Sequence, residues 1–333
     1  MTIPRNDAES GLDSVGDRAT TLEAPVPGSD RVHSRRAILA SALVLSASSV
    51  AQRVLAQAGR SPITRAIPHS GERLPVVGLG TAVRFSAPED PQRDALKGVI
   101  AALIADGGKV VDTASTYGNA ESVVGDIVQE VSARDRLFLS TKIEVRPAER
   151  SSEEFERSLQ RLRTDRVDLI QVHNVTRPDQ SLAQLRDWQA AGRCRYVGIT
   201  TTSEIDYEAV EAVIRREKPD FVQVNYSIDH RSAEQRIIPA AADAGAAVLT
   251  ALPFGRSSAF ANVRGKPLPG WAAEIDATSW GQLFLKFLLG NPDVTAVIPG
   301  TGNPAHMADN LGAARGRLPD APQRERIASL IVA

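Results

Sequence analysis

The stretch KVVDTASTY, residues 109–117, joins an apolar run to a carboxylate, Asp112, and then, five residues later, to a phenol, Tyr117. The apolar run predicts a buried strand, so Asp112 closes the strand and Tyr117 follows in a loop. Enzymes built as α/β barrels keep their catalytic groups at the C-terminal ends of the barrel strands. An aspartate at a strand end also serves as a helix cap or loop anchor, so the rest of the chain decides between these interpretations.

Short apolar, β-branched runs recur along the chain and alternate with helical stretches. The predicted strands are residues 76–79, 110–113, 137–141, 167–172, 196–200, 221–224, 247–252 and 295–298. The clearest predicted helices are residues 151–162, 209–214, 237–244 and 283–289, and Ser151 with Glu154 predicts a capping box for the first of them. Continuous apolar strands between amphipathic helices indicate parallel strands covered by helices. Eight such units are the number that closes a barrel.

Two apolar runs, residues 63–68 and 74–80, flank a turn at Ser70-Gly71 and predict a β-hairpin that leads into the first barrel strand. An open, doubly wound sheet is the alternative architecture. It is disfavoured because GLGT, residues 78–81, lacks the third glycine of a dinucleotide-binding fingerprint. The predicted fold is therefore a (β/α)8 TIM barrel with an N-terminal β-hairpin, spanning residues 59–333.

The N-terminal segment, residues 1–58, differs in composition from the rest. Residues 1–36 are polar and without periodicity, which predicts disorder. The pair Arg35-Arg36, an apolar stretch over about residues 37–51 and the triplet Ala56-Gln57-Ala58 have the layout of an export signal, and the paired arginines resemble a twin-arginine signal cleaved near Ala58. Roughly 15 apolar residues span about 22 Å as a helix, short of the about 30 Å needed for a membrane anchor.

This layout predicts a protein that engages the twin-arginine export machinery. The protein would be cytoplasmic before export and periplasmic or otherwise exported afterwards. No stable membrane anchor is expected after cleavage.

Composition excludes several functional classes. The chain of 333 residues is 42% apolar with a formal net charge of −1, so it can bury a full core but lacks the basic surface of a nucleic-acid binder. Its single cysteine, Cys194, cannot form an internal disulfide. The five histidines form no H-x-H or H-x-x-x-H pair, so no metal site is predicted and a metal-dependent barrel hydrolase is disfavoured.

Four ionisable side chains fall at the ends of the second, third and fourth predicted strands: Asp112, Tyr117, Lys142 and His173. A lysine ammonium beside Asp112 keeps its charge, and near Tyr117 it stabilises the phenolate. A phenol next to an imidazole can donate a proton to a carbonyl oxygen and stabilise the developing oxyanion.

The same residues lie in motifs that together resemble the aldo/keto reductases. The motifs are DTASTYGNAE (residues 112–121), STK (140–142), SLQRLRTDRVDLIQVH (158–173), YVGI (196–199), QVNYS (223–227) and IPGTGNPAHMADN (298–310). The resemblance covers the chain from about residue 63 onward, and its combined spacing is far more specific than any single motif.

The resemblance implies a catalytic tetrad of Asp112, Tyr117, Lys142 and His173, with Tyr117 as general acid toward a small-molecule carbonyl substrate. It also implies NADP as cofactor, with NAD as the alternative. The cofactor-binding residues that it implies are Thr200, Thr201, Gln223 and Leu252 around the nicotinamide, and Gly300, Thr301, His306 and Asn310 around the adenosine phosphate.

The chain departs from the family pattern at three places. Thr200-Thr201 stand where many members have a Ser-Asn pair. Ala251 stands where many members stack a tyrosine on the nicotinamide, with Leu252 and Phe254 nearby. Gly300 and His306 stand where many members have cations that bind the 2′-phosphate, and the loss of fixed cations weakens the preference for NADP over NAD.

Two other functions remain open at the level of sequence. An exported cofactor-binding redox sensor or regulatory subunit would keep the fold without turnover. A Schiff-base aldolase would use Lys142, although such a lysine needs a lowered pKa and Asp112 would raise it. Phe85, Phe260 and Trp271 are candidate walls of the substrate pocket, and hydrophobic packing beneath a loop is the equal alternative for each.

Overall fold

A computed structural model describes residues 61–87, 90–144, 148–177 and 179–332. The predictions of N-terminal disorder and of an export signal concern residues 1–58, which lie outside the described residues. The described chain begins with a hairpin of β1 (Thr64–Ala66) and β2 (Arg73–Pro75), paired antiparallel with Arg65 opposite Leu74. The predicted N-terminal hairpin is confirmed.

Eight parallel strands follow within the described residues, and each is hydrogen-bonded to the next along the chain. They are β3 (Leu79–Gly80), β4 (Val110–Asp112), β5 (Phe138–Ile143), β6 (Val167–Val172), β7 (Cys194–Thr201), β8 (Phe221–Asn225), β9 (Ala247–Ala251) and β10 (Ala296–Val297). The first and last strands also pair, since Val77 bridges Val297 and Gly80 bridges Gly300. The amide of Gly80 donates to the carbonyl of Pro299 at 3.1 Å, so the sheet is a closed barrel, as predicted.

Helices connect the parallel strands, as is usual for the crossover connections that parallel pairing requires. The described helices are α1 (Asp90–Ala105), α2 (Ala120–Glu130), α3 (Ala148–Arg161), α4 (Ala183–Ala190), α5 (Tyr207–Glu217), α6 (Ile237–Asp243), α7 (Ser258–Ala261), α8 (Trp280–Leu289), α9 (Pro304–Gly312) and α10 (Ala321–Val332). None of the helices in the described part of the chain combines the length and apolarity that a bilayer span requires.

The predicted capping box at Ser151 is wrong. Helix α3 begins at Ala148, so Ser151 lies inside the helix rather than at its N-cap. Glu154 instead accepts hydrogen bonds from the Ser115 hydroxyl and from the backbone amide of Glu144. The carboxylate therefore ties α3 to the loops that follow β4 and β5.

The interior of the barrel is apolar at its N-terminal end. Side chains near the strand starts, among them Phe138, Leu169 and Phe221, form one buried cluster with Ile67 and Leu74 of the hairpin segment. The hairpin thus covers the N-terminal mouth with apolar groups, which leaves the C-terminal mouth for chemistry.

Candidate active site

The strands bring the predicted catalytic residues together through the alternation of side chains. Side chains two residues apart on a strand face the same side, so β5 directs both Ser140 and Lys142 into the barrel. On the next strand the inward positions are Gln171 and, just past the end of β6, His173. Asp112 is the last residue of β4. These side chains therefore converge below and at the C-terminal mouth.

Lys142 and Asp112 form a buried ion pair. The Lys142 ammonium donates to Asp112 Oδ2 at 2.6 Å and to the carbonyl of Thr113 at 2.8 Å. The two side chains are 1% and 3% exposed. Burial by itself would lower the pKa of Lys142, but the charges and hydrogen bonds of Asp112 and Tyr117 outweigh it and raise that pKa. Lys142 therefore carries a positive charge at neutral pH.

Tyr117 lies over this ammonium. Its ring centroid is 5.0 Å from Lys142 Nζ, and the phenol contributes to the raised pKa of that lysine. The ring meets that of His173 edge to face, with centroids 5.6 Å apart and planes at 78°. The predicted tetrad is thus assembled in space, with the half-buried Tyr117 on its solvent side.

His173 is neutral over most of the pH range. Burial first, and then the charge of Lys142, lower its pKa to about 4. Its Nδ1 lies 3.2 Å from the hydroxyl of Thr116. A neutral ring that accepts this hydroxyl's hydrogen at Nδ1 carries its own proton on Nε2.

Three further polar side chains surround the Asp112 carboxylate. Ser140 donates to Oδ1 at 2.9 Å, and Gln223 donates through Nε2 to Oδ2 at 3.1 Å. Gln171 Nε2 lies 3.4 Å from Oδ1 and donates to Ser140 Oγ and to Gln223 Oε1, each at 3.0 Å. All of these groups are at most 3% exposed.

No role was predicted from the sequence for Ser140 or Gln171. The signal was nonetheless present, because each stands two residues before a tetrad member on the same strand. A polar residue at that spacing in an otherwise apolar strand shares the inward face with the catalytic group. The structural role of Glu121 on α2 was also not predicted. It accepts a hydrogen bond from Thr141 Oγ1 of β5 at 2.6 Å and forms an ion pair with Arg161. These two contacts hold α2 beside β5 and α3.

The residues expected to hold the nicotinamide lie at the end of β7, within β8 and just after β9. The hydroxyl oxygen of Thr200 accepts from the amide of Asn174 at 2.9 Å, which leaves its hydrogen for donation. Thr201 closes a local turn with Ser203. Leu252 follows β9 with a φ of 52°, a strained conformation for this residue type.

The residues expected to hold the adenosine phosphate line one cleft of about 780 Å³. Gly300, Thr301, His306 and Asn310 all contribute to its wall, together with Arg84, which sequence reasoning missed. Two helix N-termini open onto the cleft. Helix α8 is capped by Ser279, which accepts from the amide of Gln282, and α9 by Asn303, which accepts from the amide of Ala305.

The register of the strands places the cleft close to the tetrad. Gly80 pairs with Asp112 on one side and bridges Gly300 on the other. Because neighbouring strands lie about 4.8 Å apart, Gly300 lies roughly 10 Å from Asp112 at the same level of the barrel. A Cβ on Gly80 would approach the carbonyl oxygen of Ile298 to 2.9 Å, so glycine is needed for this closure.

Of the three aromatic residues expected to line the substrate pocket, Phe85 does not. Its side chain is fully buried in the main core, where it packs beneath the loop after β3. Phe260 lines the cleft and is 36% exposed. Trp271 is half-buried, and the Arg326 guanidinium covers its ring at 4.3 Å.

Among the described residues no cluster of His, Cys, Asp and Glu side chains is suited to hold a metal ion. At the mouth, the Lys142 ammonium pairs with the Asp112 carboxylate, and Tyr117 lies over that ammonium with its ring against His173. The site is therefore organised around one fixed cation, one phenol and one neutral imidazole.

Comparison with known proteins agrees with this geometry. A statistical description of the aldo/keto reductase family matches residues 76–330. The chain belongs to the aldo/keto reductase family. Among curated members, aldo-keto reductase YhdN of Bacillus subtilis is 31% identical over 159 residues, which cover 43% of this chain and 47% of that protein. The chain thus aligns with about half the length of that relative.

Aldo-keto reductase AKR2E4 of Bombyx mori is 24% identical to this family member over 273 residues, covering 73% of this chain and 84% of the relative. A crystal structure of an aldo-keto reductase from Klebsiella pneumoniae in complex with NADPH superposes with a TM-score of 0.67 at 22% identity. The superposition covers 82% of this chain and 96% of that one. The barrel of this chain is therefore the barrel of solved aldo-keto reductases.

Proposed function

We propose that this aldo/keto reductase family member reduces an aldehyde or ketone with NADPH, or catalyses the reverse oxidation of an alcohol, with NADH as the alternative cofactor. The observation that carries the proposal is the buried Lys142 ammonium, held by Asp112 at 2.6 Å beneath the Tyr117 ring and beside a neutral His173. This arrangement suits proton donation to a carbonyl oxygen.

The residues of the cleft fit a dinucleotide. Helix N-termini and backbone amides favour phosphate groups, and the Arg84 guanidinium adds a positive charge to the cleft. At the barrel mouth, the free hydroxyl hydrogen of Thr200 and the amide of Gln223 suit a carboxamide group. Neither Gly300 nor His306 supplies a fixed cation for a 2′-phosphate, so NAD remains the alternative to NADP.

The proton chemistry follows from the tetrad. When bound, the reduced nicotinamide supplies the hydride to the carbonyl carbon. Tyr117 donates its phenolic proton to the carbonyl oxygen, and Lys142 stabilises the phenolate that is left. The Nε2–H of neutral His173 donates a hydrogen bond that orients the same oxygen. Asp112 keeps Lys142 protonated throughout.

The Schiff-base alternative is disfavoured by the same contacts. A nucleophilic lysine must be neutral, whereas Asp112 and Tyr117 raise the pKa of Lys142. A cofactor-binding sensor or regulatory subunit would use the same cleft without turnover, and the experiment below separates it from a reductase.

The test combines nucleotide titration with a pair of matched tyrosine variants. Fluorescence titration of the full chain with NADPH and NADH should show tight binding of at least one of them. Tyr117→Phe should retain that binding but lose about a thousandfold or more of carbonyl reduction, within the usual range for general acids. Tyr196→Phe is the control, because its hydroxyl bonds Ser70 and Glu72 at the opposite mouth.

Each outcome has a distinct meaning. Equal loss of activity in both variants would contradict the role of Tyr117. Nucleotide binding without turnover of a broad carbonyl panel by the parent protein would favour the sensor. A borohydride-trapped adduct on Lys142 would favour the aldolase.

We also propose export by the twin-arginine machinery after folding in the cytoplasm, with a periplasmic or otherwise exported destination. The proposal rests on the sequence of residues 34–58. Replacing both Arg35 and Arg36 by lysine should retain the protein in the cytoplasmic fraction, whereas Arg53→Lys should leave its distribution unchanged. Cytoplasmic retention of the unaltered protein would overturn the proposal.

A further inference from the structure

The side chains around Asp112 form a closed ring of hydrogen bonds that crosses four strands. Its members are Asp112 of β4, Ser140 of β5, Gln171 of β6 and Gln223 of β8. Gln171 lies opposite Asp112 in this ring and bonds both intermediate members at 3.0 Å. The proposed chemistry gives Gln171 no direct role, since it lies below the mouth and is fully buried.

The direction of every bond in the ring follows from the charge of Asp112. Asp112 faces the Lys142 ammonium as the carboxylate of an ion pair and can only accept, so Ser140 must donate its hydroxyl hydrogen to Oδ1. The Ser140 oxygen must then accept, which turns the NH2 group of Gln171 toward it. The same NH2 group donates to Gln223 Oε1, so the NH2 group of Gln223 points at Asp112 Oδ2.

A reversed amide at Gln223 would break two of these contacts at once. Its carbonyl oxygen would face the carboxylate of Asp112, and its NH2 group would face the NH2 group of Gln171. Two like dipoles would then be buried without partners, which is costly in a site of low polarity. Gln171 therefore acts on Gln223 as a fixed donor that permits one orientation only.

The backbone is shaped to admit this glutamine. A Cβ on Gly198 of the neighbouring strand β7 would approach Gln171 Cγ to 3.1 Å. Gly198 is paired directly with Gln171 in the register of β6 and β7. The absence of a side chain at Gly198 thus leaves the space in which the Gln171 side chain extends toward Gln223.

We propose that Gln171 is a positioning residue that fixes the orientation of the Gln223 amide, and through it the way in which the carboxamide group of a nicotinamide cofactor is held at the barrel mouth. The inference rests on the proposed function, because it assigns Gln223 to that carboxamide. One N–H of Gln223 and one lone pair of its carbonyl oxygen are engaged inside the ring. The directions of its second N–H and second lone pair are therefore fixed for a hydrogen bond to the cofactor.

The first test uses Gln171→Met, which retains an unbranched side chain of similar length beside Gly198 but removes the amide. We expect NADPH or NADH to bind about tenfold more weakly to this variant. Gln223→Met should weaken binding at least as much. If Gln171 acts only through Gln223, the double variant binds no worse than Gln223→Met, whereas two independent effects would multiply and overturn the proposal.

The second test uses Gln171→Glu and does not depend on how well the methionine variant folds. The introduced carboxyl donates to Gln223 Oε1 only when protonated, and when ionised it repels Asp112. Nucleotide affinity of this variant should therefore fall severalfold as the pH rises from 5 to 8, relative to the parent protein, an effect that packing alone would not produce. A pH profile parallel to that of the parent protein would overturn the proposal.

Thr250→Val is the control, because it removes a buried hydroxyl on the outward face of β9, away from the ring. It should leave nucleotide affinity unchanged. If the parent protein binds neither nucleotide, the proposed function and this inference fall together. If the parent protein binds but Gln171→Met binds equally well, the inference alone falls.

Discussion

The ion pair between Lys142 and Asp112 predicts a specific pattern of stability. Lys142→Met removes the cation but keeps a long apolar side chain, so Asp112 is left charged and 3% exposed without its partner. Breaking one side of a buried pair costs about 3–5 kcal/mol. Ser140 and Gln223 still donate to the carboxylate, so we expect the lower end, about 3 kcal/mol at pH 7.

Removing the second charge as well should restore part of the lost stability. Asp112→Asn added to Lys142→Met leaves no isolated charge, so the double variant should be more stable than Lys142→Met. The loss in Lys142→Met should also shrink as the pH falls, because protonation neutralises the lone carboxylate.

Urea unfolding of the full chain, followed by circular dichroism at pH 5 and pH 7, measures these differences. A single variant within about 1 kcal/mol of the parent protein at pH 7 would refute the reasoning, as would a double variant less stable than Lys142→Met.

Three further predictions concern proton linkage and packing. The folded pKa of His173 is about 4, below the unfolded value, so the unfolded chain binds an extra proton between pH 6.5 and 4. Stability should therefore fall by about 3 kcal/mol as the pH drops through this range, and His173→Gln should lose part of that dependence in acid-range urea titrations. Burial lowers the pKa of Lys286 to about 8, so stability should rise from pH 8 to 10, and this rise should be absent in Lys286→Met. A Cβ on Gly125 would lie 2.3 Å from the carbonyl oxygen of Arg161, so Gly125→Ala should cost about 2 kcal/mol or more in thermal or urea unfolding, while Gly270→Ala, with no atom within 4 Å, should cost little.

Much of the fold could be predicted because barrel strands are locally recognisable. Both faces of these strands are buried, so apolar runs such as residues 167–172 stand out between helices of mixed polarity. Strand ends were harder to predict. Strand β5 continues to Ile143, beyond its predicted end, because Lys142 is paired within the barrel rather than solvated. The helix start at Ala148 was not predicted. A serine followed three residues later by a glutamate, as at Ser151 and Glu154, occurs inside a helix as well as at its N-cap.

Some of the residues that line the cofactor cleft could likewise be located from the sequence, and one could not. Gly300, Thr301, His306 and Asn310 could be placed because they lie in one short segment formed by α9 and the residues just before it. Arg84 could not, since it reaches the same cleft from the loop after β3, more than two hundred residues earlier in the chain. Only barrel closure between β3 and β10 brings the two segments together.

The sequence by itself determined the barrel, its hairpin and the four residue types of the tetrad, because strand periodicity and the order of strand ends are local properties of the chain. The tertiary structure alone decided that His173 is neutral, that Phe85 belongs to the core and that Gln171 links Gln223 to Asp112. Those features depend on burial and on contacts between strands far apart in the chain. Such contacts exist only once the register is set and water is excluded from the barrel interior.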